Sequence, residues 1–147
     1  MTDAGAERRR ISVVDASVSL KWALDDEEDV ERAVALRDAA VEGAFQLVAP
    51  SLWAYEVVNG LVSASRRVRV DPSLSAAVID ALFSVGVRLV DPAPAHVYEV
   101  ATRWGLTAYD AAYVALAEAL RCPLWTADGP LRGACRNHEF VRWIGEF

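Results

Sequence analysis

Short apolar runs alternate along the chain with longer stretches of helical periodicity. Ile11–Val14 is a β-branched run that stops at Asp15, and "FQLVAP" (45–50), "VRLVDP" (87–92), "CPLWTAD" (122–128) and "EFVRWI" (139–144) repeat the same short format. Each reads as a strand. Between them, "SVSLKWAL" predicts a short helix and "VERAVALRDAAVEG" a longer one ended by Gly43. Ser51 is expected to cap a helix through "LWAYEVVNGLVSASRR". Asp71-Pro72 restarts a helix from Pro72 to about Ser84, and another runs from Pro94 to about Trp104, where Gly105 breaks it. Thr107 is placed to cap "AYDAAYVALAEAL", and a short turn of helix spans Pro130 to Cys135. Strands alternating with helices predict an α/β fold with a mainly parallel sheet covered on both faces. In such a sheet the binding crevice lies beyond the carboxyl ends of the strands.

Composition narrows the chemistry. With 54% apolar and 24% charged residues in 147, the chain is expected to form a single globular domain over 11–147, preceded by a flexible polar tail, "MTDAGAERRR", at 1–10. That lead has no apolar core and does not resemble a signal peptide. The longest uncharged run, Gly43 to Tyr55, contains Pro50 and falls short of the roughly 18 residues a membrane span needs. A cytoplasmic protein without membrane attachment is expected. Cys122 and Cys135 have only His96 and His138 for company, so no zinc spacing or disulfide framework is suggested. Two histidines leave hydrolytic chemistry to carboxylates. A net charge of −6 argues against a plain nucleic-acid-binding module, but not against a nuclease whose bound cations reverse the sign of its site.

Four acids stand out by position. Asp15 ends the first strand and Asp128 follows "LWTA"; Glu56 and Asp110 lie in helices. Taken singly, each has an ordinary explanation. Asp15 or Ser17 can cap a helix, Glu56 can belong to a solvated stripe with Asn59 and Ser63, and Asp128-Gly129 can be a turn. Thr107-x-x-Asp110 has the outline of a capping box, but Asp110 sits among Tyr109, Ala111, Ala112 and Tyr113, where a carboxylate risks desolvation. Together, all four can face one crevice. Carboxylates so placed resist ionising together, and a divalent cation relieves them. All-oxygen ligation suits Mg²⁺ or Mn²⁺, and a metal-activated water can attack a phosphodiester. The acid run at 25–29 reads as a solvated helix start. Arg66, Arg67 and Arg69 read as a solvated helix end, with phosphate contact the sharper alternative. The five tryptophans read mainly as core anchors.

At these residues the sequence resembles the PIN-domain ribonucleases, and within them the VapC-type toxins of toxin–antitoxin pairs. The resemblance is carried by "VVDASVSLKW", "APSLWAYEVVNGL", "LTAYDAAYVALAEAL" and "CPLWTADGPL", in order, and covers roughly residues 11 to 143. It implies a three-layer α/β/α sandwich and a Mg²⁺- or Mn²⁺-dependent endoribonuclease. Carried over, Asp15, Glu56, Asp110 and Asp128 form the acidic, catalytic metal pocket, with Ser17, Asn59 and Thr126 in supporting positions. The resemblance also implies a homodimer, an RNA substrate and a VapB-type antitoxin that covers the groove. Two alternatives remain: a catalytically silent PIN-like module acting through that groove, and a small-molecule phosphohydrolase. The second is disfavoured, because there is neither a glycine-rich phosphate loop nor an Asp-x-Asp after the first strand.

Overall fold

Five short parallel strands lie in the order β3-β2-β1-β4-β5. The computed structural model describes residues 10–67 and 69–147; apart from Arg10, the expected tail at 1–10 lies outside them. The strands are β1 (Ile11–Val14), β2 (Gln46–Ala49), β3 (Arg88–Leu89), β4 (Leu124–Thr126) and β5 (Val141–Trp143). Central β1 pairs with β2 through Val13↔Val48 and with β4 through Val13↔Leu124. The chain steps outward from β1 to β2 to β3, then crosses back to place β4 on the other side of β1. The direction of winding therefore reverses between β1 and β4, which is where a parallel sheet opens a crevice at its carboxyl edge.

Alternation along the strands divides the core in two. Val13 and Val48 point to one face, where they meet α3 (Leu52–Arg66), α5 (Pro94–Trp104), α6 (Ala108–Leu120) and a residue each from α4 (Ser75–Phe83) and α7 (Gly129–Ala134). Val14 and Leu47 point to the other, against Val18 of α1 (Ala16–Ser19), Ala33 and Leu36 of α2 (Val30–Val41) and Ile144. The expected α/β/α sandwich is therefore present, with an all-parallel sheet. Residues Ala111 to Ala117 of α6 are all buried, so this helix is the pillar of the thicker layer. Among the described residues no helix is long and apolar enough to cross a membrane.

The local signals hold in most places. Pro94 opens α5, and Gly105, at φ 67°, takes the left-handed conformation that ends it. Thr107 caps α6 by accepting from the Asp110 N–H at 3.2 Å. Ser51 does not cap α3. Instead its N–H and hydroxyl both donate to Asp91, at 2.8 and 2.6 Å, tying the start of α3 to the end of β3. The run expected to restart at Pro72 forms a 3₁₀ turn, Pro72–Leu74, before α4.

Two contacts seat α3 against α1. The buried Trp53 indole donates to Ser19 Oγ at 2.9 Å. Gly60 lies so close to Leu20 that an added Cβ would fall 2.4 Å from its Cδ1. This close approach brings the α3 face that carries Glu56 toward the end of β1.

Candidate active site

Asp15 sits at the amino end of α1 but makes no side-chain capping bond there. Its carboxylate, only 7% exposed, turns toward β4. Ser17 Oγ and Thr126 Oγ1 both donate to Asp15 Oδ2, at 2.7 and 2.8 Å. The direction of these bonds is fixed by the backbone. Ser17 Oγ already accepts from the Ala127 N–H at 2.9 Å, and Thr126 Oγ1 from the Asp128 N–H at 3.0 Å, so each hydroxyl directs its proton to the acid. Both bonds fall on Oδ2. No hydrogen bond to Oδ1 is seen among the described residues, and no buried side-chain polar atom there lacks a partner, so this second oxygen keeps some contact with solvent.

The other three acids arrive from separate elements. Glu56, half-buried on α3, accepts from the Tyr113 hydroxyl at 2.6 Å across the gap to α6. Asp110 stands half-buried in the first turn of α6. Only half of the expected capping box forms there: the Thr107 side chain accepts from Asp110, and no bond from the Asp110 carboxylate is seen among the described residues. Asp128 follows β4 and accepts from the Leu131 N–H at 3.0 Å, so where a turn was the ordinary expectation it caps α7. One oxygen is used in that bond.

The electrostatics join the four. Burial raises the Asp15 carboxyl from an ordinary 3.8 to about 6, with the hydrogen bonds from Ser17 and Thr126 opposing and the charges of Glu56 and Asp128 adding to the rise. Glu56 is raised by burial and by the charges of Asp110 and Asp128. Asp110 is raised by burial and by Asp128. Glu56 and Asp128 thus link Asp15 to Asp110 across the crevice. Burial also drives the Tyr113 phenol well above its usual range, helped by the charges of both Asp15 and Glu56, so Tyr113 remains a neutral donor between them.

The donor set fits a hard divalent cation. It is all oxygen and anionic, with Oδ1 of Asp15 seen in no hydrogen bond among the described residues, and burial, with the charges of neighbouring acids adding to it, holds three of the carboxyls above their normal range. As placed, the acids sense one another without closing on a point: among the described residues no three acid, His or Cys side chains reach metal-ligand spacing.

The supporting residues divide. Ser17 and Thr126 hold Asp15, whereas Asn59 is exposed on α3 and is seen in no hydrogen bond with the acids among the described residues. Tyr113 was not singled out by the sequence beyond its place among the apolar neighbours of Asp110. A buried tyrosine needs a partner for its hydroxyl, which is the signal that points to it. The remaining candidates fall outside the crevice. Arg69 binds Asp26 in two bonds, at 2.9 and 2.7 Å, and Glu27 at 3.0 Å. Both histidines face Glu118, two turns along α6 from Asp110. Cys122 and Cys135 are buried and free, and burial pushes the Cys135 thiol up to about 11.

Comparison with known proteins agrees with this geometry. No curated protein matches the chain significantly. A solved fold, the crystal structure of PAE2754 from Pyrobaculum aerophilum, is similar with a TM-score of 0.70 at 25% identity, over 94% of this chain and 93% of that one. The family model for the PIN domain matches residues 12–136. PIN domains are generally nucleases that bind nucleic acid and use divalent metal ions. From the match to most of its length and the shared fold, the chain belongs to the PIN domain family.

Proposed function

We propose that this PIN domain, spanning 11–147, is the toxin of a type II toxin–antitoxin pair and a Mg²⁺-dependent endoribonuclease acting in the cytoplasm. The observation that carries the nuclease reading is the switch-point crevice. There, burial, with the charges of neighbouring acids adding to it, raises the carboxyls of Asp15, Glu56 and Asp110, with no lysine or arginine among the causes of those shifts. Asp15, Glu56 and Asp110 would hold the ion, directly or through water, and Asp128 would use its oxygen not spent on Leu131. A divalent ion bound there, Mg²⁺ or Mn²⁺, supplies a Lewis acid that lowers the pKa of water and offsets charge on the scissile phosphate. Ser17 and Thr126 hold the Asp15 carboxylate by Oδ2, which leaves Oδ1 for the ion. Tyr113 orients Glu56 in the same way.

The toxin role rests on the VapC-type resemblance, which supports a VapB-type antitoxin and a homodimer. Tyr55, Val58 and Val62, exposed on one side of α3 at 80, 36 and 40%, supply apolar surface for a second copy. Cleavage of total cellular RNA with Mg²⁺, with EDTA and with Asp15→Asn tests the reading. Mg²⁺-dependent fragments absent from the variant are expected, and equal cutting by the variant refutes the assignment. The open spacing of the acids favours a second reading, a silent binding module. RNA binding with Mg²⁺ but no cleavage would select it.

A further inference from the structure

A nuclease with a net charge of −6 needs local cations to hold an RNA strand against its own field. Of the arginines singled out by the sequence, Arg69 is spent on Asp26 and Glu27. The structure offers others. Between α7 and β5 runs a groove of about 500 Å³, and Gly129, the residue after Asp128, is part of its lining. Arg132 and Arg136 line it, together with Trp143 and Glu146. The groove's lining thus includes the residue next to Asp128 in sequence, and two exposed arginines stand along it.

Its details suit a polynucleotide backbone. The Arg132 guanidinium lies over the Trp143 ring, 4.7 Å from its centre, and the side chain is half exposed. Its one ion pair among the described residues, to Glu146 at 3.7 Å, joins two exposed groups and is cheaply exchanged for a phosphate. Arg136 is exposed and is seen in no ion pair among the described residues. Gly129 and Gly133, one turn apart on α7, present bare backbone: a Cβ at either would meet nothing within 4 Å. A strand can approach closely there, and guanidinium forks match phosphate oxygens in pairs.

We infer that the α7–β5 groove binds the phosphate backbone of single-stranded RNA flanking the scissile bond, through Arg132 and Arg136. The inference rests on the nuclease reading of the crevice, so its test separates binding from cutting. Anisotropy of a fluorescent single-stranded RNA 12-mer is measured with Mg²⁺ on the Asp15→Asn chain across a salt series. Arg132→Ala and Arg136→Ala are each expected to weaken binding roughly three- to tenfold and to flatten the salt dependence by about one contact. Glu146→Gln is expected to tighten binding. Arg88→Ala, at the opposite edge of the sheet, controls for loss of positive charge in general and should change little.

Affinity and salt slope unchanged in both arginine variants would overturn the groove, even if the wild type cuts RNA. The same holds if Arg88→Ala has an equal effect, or if a 12-base-pair duplex binds more tightly than the single strand. If the wild type cuts nothing while both arginine variants lose binding, the groove stands and the nuclease reading falls. Should Arg132→Ala disturb Trp143, Arg136→Ala decides alone.

Discussion

Two groups of carboxylates in this molecule have opposite fates. Asp26 and Glu27, in the acidic run before α2, meet Arg69 and Lys21, and their carboxyls are lowered: hydrogen bonds from Arg69 lead for Asp26, and for Glu27 those from Arg69 and Lys21 outweigh its burial. Asp15, Glu56 and Asp110 meet chiefly burial and one another, and all three are raised. The residue chemistry is the same; what differs is whether the fold supplies the opposite charge. Where it does, the acids tie surface segments together. Where it withholds that charge, the cost falls on the fold, and a cation from solution can recover it.

The sharpest way to break this contrast is Asp15→Asn. An Asn carbonyl in the place of Oδ2 keeps both bonds from Ser17 and Thr126 while removing the charge. RNA cleavage is expected to fall by roughly 10³-fold or more, while the metal-free protein becomes more stable. The sign follows from the titration. Asp15 ionises near 3.8 when unfolded and near 6 when folded, so its proton stabilises the fold at acid pH, and that contribution is lost as pH rises from about 4 to 6. The loss is on the order of 3 kcal/mol. In EDTA at pH 7 the variant should melt several degrees above the wild type, and the gap should close near pH 4. A lower melting temperature for the variant at pH 7 would contradict the account.

Metal should act on one group and spare the other. Mg²⁺ at a hundred times its Kd should stabilise the wild type by about 2.7 kcal/mol, and Asp15→Asn hardly at all, as read by thermal melts at pH 7. A smaller effect is expected from Tyr113→Phe, which frees Glu56 without altering the charge count. It should raise the Mg²⁺ concentration for half-maximal cleavage by about 10- to 100-fold, with the maximal rate less affected. The smallest effect belongs to the paired group. Arg69→Ala breaks the links to Asp26 and Glu27 on the surface and should leave both cleavage and Mg²⁺ response unchanged; loss of activity there would join the two regions that this comparison separates.

Much of the fold was legible because its signals are local. Pro94 and Gly105 bracket α5, Thr107 caps α6, and the β-branched run before Asp15 forms the central strand. The four acids were legible from their positions at strand ends and in helices, and the fold brings them into mutual electrostatic reach. Other expectations failed where a distant residue decides. Ser51 bonds to Asp91, forty positions away, and not to its own helix. Arg69 belongs to Asp26 and not to a free basic patch. Asn59 shares a helical face with Glu56 on paper, but three residues turn it far enough to remain exposed, while Glu56 leans under Tyr113. Tyr113 and Glu56 are 57 residues apart, so their bond has no local signature.

The sheet's two outer strands have a consequence for assembly. β3 is two residues long and β5 three, so neither margin exposes a ladder of peptide groups long enough to recruit a further strand. Growth by adding strands side by side is closed to this molecule. Association then falls to helix faces, grooves and the crevice, surfaces that side chains, and hence selection, can tune.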